Sequence, residues 1–309
     1  MKLLVRPYRD EKDYWRIRQF FREVFLINGR REHSWPLYRW DYWMWHVNEN
    51  IHHLPLNENI FIWETPEGRV AALLTPENTG EAHFHTHLAF RDMALEEEML
   101  QTAEEHLTLT RPDGSHTLRV WAQSADSERQ VLLANHGYIR QAGAEYQRFR
   151  ELNQPIRNVP LAEGFSIRPL GDVDEFPARS WVSFKAFHAD EPESNYDPSP
   201  WYHNIQRAPL YRRDLDLVVV APNGELAAFC TLWFDDATRS AAFEPVGTHP
   251  AYQRLGLGKA IMTEGLNRVK TLGATLAAVG SYSPAAHALY NSLGFTQYTL
   301  SEPWRKLLN

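Results

Sequence analysis

The chain reads much the same way twice, and this repetition is what most limits the folds open to it. LLVRPYRDEKDYWRIRQFFREVF (3–25) has its counterpart in FSIRPLGDVDEFPARSWVSFKAF (165–187). Each is a short apolar strand ending in Arg-Pro, at Arg6-Pro7 and Arg168-Pro169, followed by an Asp-rich helix start and a helix carrying aromatic residues. NIFIWETPEGRVAALLTP (59–76) is matched by LDLVVVAPNGELAAFCTLWF (215–234), and both read as strand, Pro-x-Gly turn, strand. Late in each half a helix ends in a glycine and an aromatic residue, at LLANHGY (132–138) and LYNSLGF (289–295), where a left-handed C-cap suits glycine. The expectation is two copies of one α+β unit of roughly 150 residues, a normal domain size. ELNQPIRNVPLAEG (151–164) holds two prolines and little periodicity, so the expected division is 1–150, a linker at 151–162, and 163–309.

In the second half the pattern predicts a strand near 165–169 and a helix over 172–187. A Pro-rich helical stretch follows at 198–209, then strands near 215–221, 225–234 and 239–248. A helix begins near 256, a strand covers 274–280 and a short helix 284–292, with closing strands at 295–300 and 303–308. The 309 residues are 43% hydrophobic and 13% aromatic, enough for a packed core. A formal charge of −7 argues against a general nucleic-acid binder. Cys230 stands alone, which excludes an internal disulfide and a cysteine-based zinc site. No apolar run is long enough for a signal peptide or a membrane span, so a soluble, cytoplasmic protein without a membrane partner is expected.

The most informative turn is HPAYQRLGLGKAIM (249–262), set between a strand and a helix. It is not a phosphate-binding P-loop, because Gln253 stands where glycine is needed and Ala260 follows Lys259. Nor is it a dinucleotide fingerprint, because Ile261 replaces the third glycine. The physical ingredients of an anion site remain. Gly256 and Gly258 clear side chains from a helix start whose first N–H groups lack partners, and Arg254 and Lys259 add charge. Leu257, Ile261, Gly265, Val269 and Leu272 form one stripe that would seat the helix on a sheet.

Two motifs in this half carry a resemblance. Gln253-Arg254-Leu255-Gly256-Leu257-Gly258 gives Gln-x-x-Gly-x-Gly at the helix start, and Ala286, Leu289, Tyr290, Gly294 and Phe295 give a downstream Ala-x-x-Leu-Tyr-x-x-x-Gly-Phe. Together they resemble the GNAT superfamily of N-acetyltransferases over most of 163–309, whereas 1–150 matches only in the order of its elements. The resemblance implies tandem domains, each with a mixed, mostly antiparallel twisted sheet flanked by helices. It implies acetyl-CoA as co-substrate, with no metal, and a small-molecule or peptide amine as acceptor. The pyrophosphate would sit on the N–H groups from Arg254 to Lys259, and the pantetheine arm would lie along Val246, Gly247 and Thr248. Ser283 stands where the family often has asparagine, and it would also contact pantetheine.

Acyl transfer to an amine requires a neutral nitrogen, and hence a base. Glu244 is the candidate: on a regular strand it shares a face with residues 246 and 248. Tyr290 matches the family's helix tyrosine and is the candidate acid for the leaving thiolate. Asp190, Glu191, Glu193 and Asp197, in the region that lines the acceptor side in the family, could attract a cationic amine. The alternative is a non-catalytic acyl-CoA-binding or sensor protein on the same fold.

The matching loop of the first half, HLAFRDMALEEEMLQTAEEHL (87–107), has no glycine and carries Asp92, Glu96, Glu97 and Glu98. These acids repel pyrophosphate and suit helix capping, so this half is expected not to hold CoA. His83, His85 and His87 alternate along one strand, about 7 Å apart, which favours a polar face over a shared metal ion. The tryptophan- and tyrosine-rich segment 33–53 is expected to pack between the halves.

Overall fold

The computed structural model describes residues 2–198 and 201–308. Two compact units emerge, Met1–Gln147 with Thr299–Asn309, and Arg148–Tyr298. The first contains β1 (Leu4–Pro7), α1 (Glu11–Ile27), α2 (Leu37–Tyr42) running on as a π-helical stretch to His52, and α3 (Leu56–Asn59). It continues with β2 (Phe61–Glu64), β3 (Val70–Thr75), β4 (Glu81–Thr86), α4 (Met93–His106), β5 (Leu109–Thr110), β6 (His116–Gln123), α5 (Ser127–Asn135) and β7 (Ile139–Arg140). β8 (Glu145–Glu151) leads into the second unit, which holds β9 (Ser166–Pro169), α6 (Phe176–Phe187), α7 (Tyr202–Ile205), β10 (Asp216–Val220) and β11 (Leu226–Asp235). After these come β12 (Ser240–Thr248), α8 (Leu257–Thr271), β13 (Leu276–Ser281), α9 (Pro284–Ser292) and β14 (Gln297–Leu308).

The strand order of the first unit is β1-β2-β3-β4-β6-β14, and that of the second is β9-β10-β11-β12-β13-β8. Within the pairs recorded, each sheet is antiparallel except for one parallel pair, β4 with β6 and β12 with β13. The repeat is thus a repeat of topology. The shared Arg-Pro strands also act alike: Arg6 pairs with Asp13 at 2.6 Å, and Arg168 pairs with Glu175. In each case a strand cation clamps an acid at the following helix.

The expected division 1–150, 151–162, 163–309 needs correction at both ends. Residues 299–308 of β14 belong with the first unit, and Arg148–Glu151 of β8 belong with the second. The final strand position of each sheet is therefore filled from the sequence of the other repeat. The two closing strands expected at 295–300 and 303–308 are one strand, since Pro303 still pairs with Trp121. Ser199 and Pro200, in the expected helical stretch 198–209, lie outside the described residues.

The core of the second unit lies between its sheet and α8, with Leu217, Val219, Leu232, Phe243, Ile261 and Leu266 at its centre. Burying each such side chain contributes about 1.5–3 kcal/mol. Gly265 is required for this contact, because a Cβ there would meet Leu232 and Phe243 at 2.9 Å. Leu272, placed in the same stripe from sequence, caps the helix and is exposed. Within the first unit the aromatic segment packs on α1 and β4. Trp40 stacks on Trp43 at 5.8 Å and meets Phe21 at 6.1 Å, while Trp35 lies 5.0 Å from His83. Among the described residues no helix is long and apolar enough to cross a membrane.

Candidate active site

β12 and β13 run in parallel only from Ser240↔Leu276 to Phe243↔Val279. Beyond Phe243 the strands part. β12 keeps its pairing with β11 as far as Thr248↔Ala228. The other edge of Glu244 to Thr248 therefore faces no strand among the described residues. The register shifts between Cys230 and Leu232, so Phe243 pairs with Leu232 and Val246 with Cys230. This bulge breaks the alternation that would have put 244, 246 and 248 on one face. It leaves Val246 and Thr248 on the core side, and places Glu244, half-buried, where the sheet opens. Gly247 must be glycine, since a Cβ would meet Phe229 at 2.4 Å and Ala186 at 2.9 Å.

The glycine turn comes next along the chain. Arg254 and Gly256 both adopt positive φ, 65° and 76°, and Gly256 occupies the N-cap of α8 without a side-chain cap. The N–H groups from Arg254 to Lys259 donate to no acceptor among the described residues. Gln253, Arg254, Leu255 and Gly256 are exposed, Gly258 and Lys259 half-buried, and Leu257 is buried in the core. Several parallel N–H groups at the positive end of a helix dipole favour an anion. A Cβ at Gly258 would lie 3.5 Å from Thr248 Oγ1 and 3.6 Å from Leu289 Cδ2. The turn, the free strand edge and α9 therefore meet at one place.

Tyr290, one residue beyond Leu289, is buried, with its ring 6.3 Å from Phe295. Its hydroxyl makes no hydrogen bond among the described residues. Burial, and then the charge of Glu244, hold its pKa well above the ordinary tyrosine value, so it stays protonated at neutral pH. The structure thus brings Glu244 and Tyr290 within electrostatic reach of each other beside the opening. Ser283 is the N-cap of α9 and accepts from Ala286 N at 3.2 Å, which leaves its O–H free to donate. The acidic loop is less available than its composition suggests. Glu191 pairs with His188 at 2.7 Å and Glu193 with Lys185 at 3.1 Å.

At the equivalent place in the first unit the helix start is capped and the parted strand is bonded by a side chain. Asp92 caps α4 by accepting from Leu95 N at 2.8 Å. Glu96, buried in the first turn, holds Arg129 at 2.6 and 2.7 Å, and Arg129 Nη1 donates to Phe84 O at 3.1 Å. Sequence reasoning foresaw the acids but missed Arg129, because no local pattern shows where that side chain ends. His83 and His85 share a hydrogen-bond network with Trp35 and Thr75, in which the buried Nε2 of His83 has no hydrogen-bond partner. Trp35 donates to Nδ1 of both His83 and His85, at 3.2 and 3.3 Å. That contact places the proton of neutral His83 on Nε2, which faces Glu77 at 3.4 Å. Glu77, Glu81 and His83 are close enough together to share a metal ion, but Arg39 and Arg119 already neutralise the two carboxylates.

Residues 180–295 match the family described as Acetyltransferase (GNAT) family. The mycothiol acetyltransferase of Salinispora arenicola is 29% identical over 188 residues, 59% of this chain and 61% of that one. The enzyme of the same name from Salinispora tropica is 30% identical over 191 residues, with the same coverage. The match thus spans about three fifths of those relatives' own length, 61% in each case. A solved GCN5-related N-acetyltransferase from Sphaerobacter thermophilus is similar with a TM-score of 0.66 at 18% identity, covering 99% of this chain and 95% of that one. The tandem GNAT protein from the clavulanic acid biosynthesis pathway gives 0.65 at 14%, covering 99% and 98%. Residues 180–295 thus match the GNAT family of acetyltransferases, and the whole chain has the fold of the tandem GNAT structures.

Proposed function

We propose that the second unit transfers an acetyl group from acetyl-CoA to a primary amine by direct attack. The observation that carries this reading is the parting of β12 and β13 beside an uncapped glycine turn, with Tyr290 next to both. Arg254 to Lys259 offer N–H donors to a pyrophosphate. The free edge of Val246, Gly247 and Thr248 offers strand-like hydrogen bonds to a pantetheine arm, and Ser283 can donate to it. Glu244 takes the proton of the attacking amine, directly or through a water. Backbone N–H groups at the opening polarise the acetyl carbonyl. As the tetrahedral intermediate collapses, Tyr290 gives its proton to the departing thiolate; its unbonded, protonated hydroxyl supports this role.

The relatives' name, mycothiol acetyltransferase, supports a small-molecule amine as acceptor. The first unit holds no acyl-CoA in this reading, because its own side chains fill the matching gap. Calorimetric titration of acetyl-CoA should show one site per chain, and a screen of amines should show thiol release. Two sites, or none, would overturn the assignment. Binding without thiol release for any amine would identify the sensor instead.

A further inference from the structure

β11 and β12 slip out of register where the sheet of the second unit opens. Leu232 pairs with Phe243 and Cys230 with Val246, so Thr231 alone stands opposite two residues, Glu244 and Pro245. A bulge of this kind bends its strand and re-aims a side chain. Here an indole holds it. Trp233 is buried, and its Nε1 donates to the carbonyl oxygen of Glu244. Trp233 is braced in turn. The Tyr211 ring meets it in a T-shaped contact at 6.4 Å, and the Tyr211 hydroxyl donates to Asp216 Oδ2 at 2.9 Å. Asp216, fully buried, also accepts from the Tyr202 hydroxyl and, at 3.0 Å, from Thr231, the residue opposite the bulge. Arg179 Nη2 donates to the same Thr231 hydroxyl at 3.4 Å, and its guanidinium lies 3.8 Å from the ring centre of Phe229, the partner of Gly247. A buried polar network with its members bonded fixes one arrangement of the groups around it. This one fixes the strand residues that face the bulge. The matching pair of the first unit, β3 with β4, runs from Ala72↔Thr86 to Thr75↔His83 without a shift. The bulge and its indole clamp thus accompany the unit whose helix turn is uncapped, and not the one whose turn is capped.

We propose that Trp233 is a positioning residue for Glu244. Its N–H fixes the main chain of the bulge, so that the carboxylate meets the attacking amine. The Asp216 network holds the indole in place through Tyr211. The inference rests on Glu244 as the base of the function proposed above. Trp233 acts through that residue and not on the substrate. Small misplacements of a reacting group cost much in rate, which is why a base on a bulge needs such a clamp.

The test is thiol release from acetyl-CoA by the full chain, with Trp233→Phe, Glu244→Gln and the double variant beside wild type. Trp233→Phe keeps a ring in place and removes the N–H. Two acceptors are compared: ethanolamine, which is protonated at neutral pH, and methoxyamine, which is not, so that the first depends on a base far more than the second. W233F should lower kcat/KM for ethanolamine about 10–100-fold and for methoxyamine by no more than about twofold, with acetyl-CoA affinity unchanged by calorimetry. Added to E244Q, it should cost nothing further. Equal losses with both acceptors would mean general damage to the fold and overturn the proposal, as would a W233F loss that persists in the E244Q background. A loss in E244Q with none in W233F overturns the clamp and keeps the base. Unchanged ethanolamine turnover in E244Q overturns both. The readout that needs no turnover is a crystal structure of W233F: Glu244 should leave its place, and a Glu244 that stays put overturns the proposal.

Discussion

In the first unit β4 leaves β6 after His83, and in the second β12 leaves β13 after Phe243. The two gaps are topologically the same, and the chain treats them in opposite ways. In the first, Arg129 reaches the free strand and hydrogen-bonds Phe84 O, anchored by Glu96 from the helix that follows the strand. Trp35 covers the neighbouring histidines, and the cavity they line is about 20 Å³, room for about one water, while a second cavity of about 500 Å³ is lined by Thr86, Arg91, Asp126 and Arg129. In the second, the strand edge and the helix start keep their backbone donors free. The first repeat thus shows what such a gap looks like when protein groups satisfy it. The second shows the same gap left for a ligand with an anion and an extended amide arm.

The harshest way to break this contrast is to give the second turn the acids of the first. Gly256→Glu with Gly258→Glu should abolish acetyl-CoA binding, a loss of at least about 100-fold by calorimetry. The substitutions set carboxylates against the pyrophosphate and place a side chain at a positive φ. Retained affinity would mean that acyl-CoA binds elsewhere. A milder break removes the chemistry alone. Tyr290→Phe and Glu244→Gln should each lower kcat about 100-fold, the lower range for a general acid or base, with the dissociation constant of CoA unchanged. An unchanged kcat in either variant would remove that residue from the mechanism.

What the sequence showed of this contrast follows from how local each signal is. The uncapped turn was legible because glycine at 256 and 258 acts within a few residues. Tyr290 was legible through its spacing on one short helix. The helix stripe was legible except at Leu272, where the C-cap turns the side chain to solvent. Strand pairing is different. The residues of β14 read as two strands, 295–300 and 303–308, and nothing in them shows that they run on as one whose partner is β6. The bulge beside Glu244 depends on how β11 and β12 register, so strict alternation was a fair expectation that failed. Arg129 fills a gap whose other wall lies 45 residues away in sequence.

Two further variants sharpen the first unit's side. Arg129→Met should lower its stability by about 1–3 kcal/mol, the usual cost of leaving buried acceptors unsatisfied. Glu96 is buried, and Arg91 at 2.9 Å is its remaining cation. A denaturant midpoint that does not move would show that Arg129 merely occupies space, and an acetyl-CoA site gained in the first unit would show that the plug is what keeps that gap closed.

The smallest effect belongs to Asp92, the counterpart of Gly256. Asp92→Ala removes one N-cap hydrogen bond and should cost about 1 kcal/mol. The first unit's denaturant midpoint should fall slightly, while acetyl-CoA affinity stays the same. The informative partner is Gly256→Asp, which offers the cap that the second helix lacks. Residue 256 sits at a positive φ, so the change strains the backbone and should lower stability by itself. If the second turn were only an unfinished cap, acetyl-CoA affinity would stay the same; if its free N–H groups hold pyrophosphate, that affinity should fall, because the new carboxylate competes for the same donors and repels the ligand.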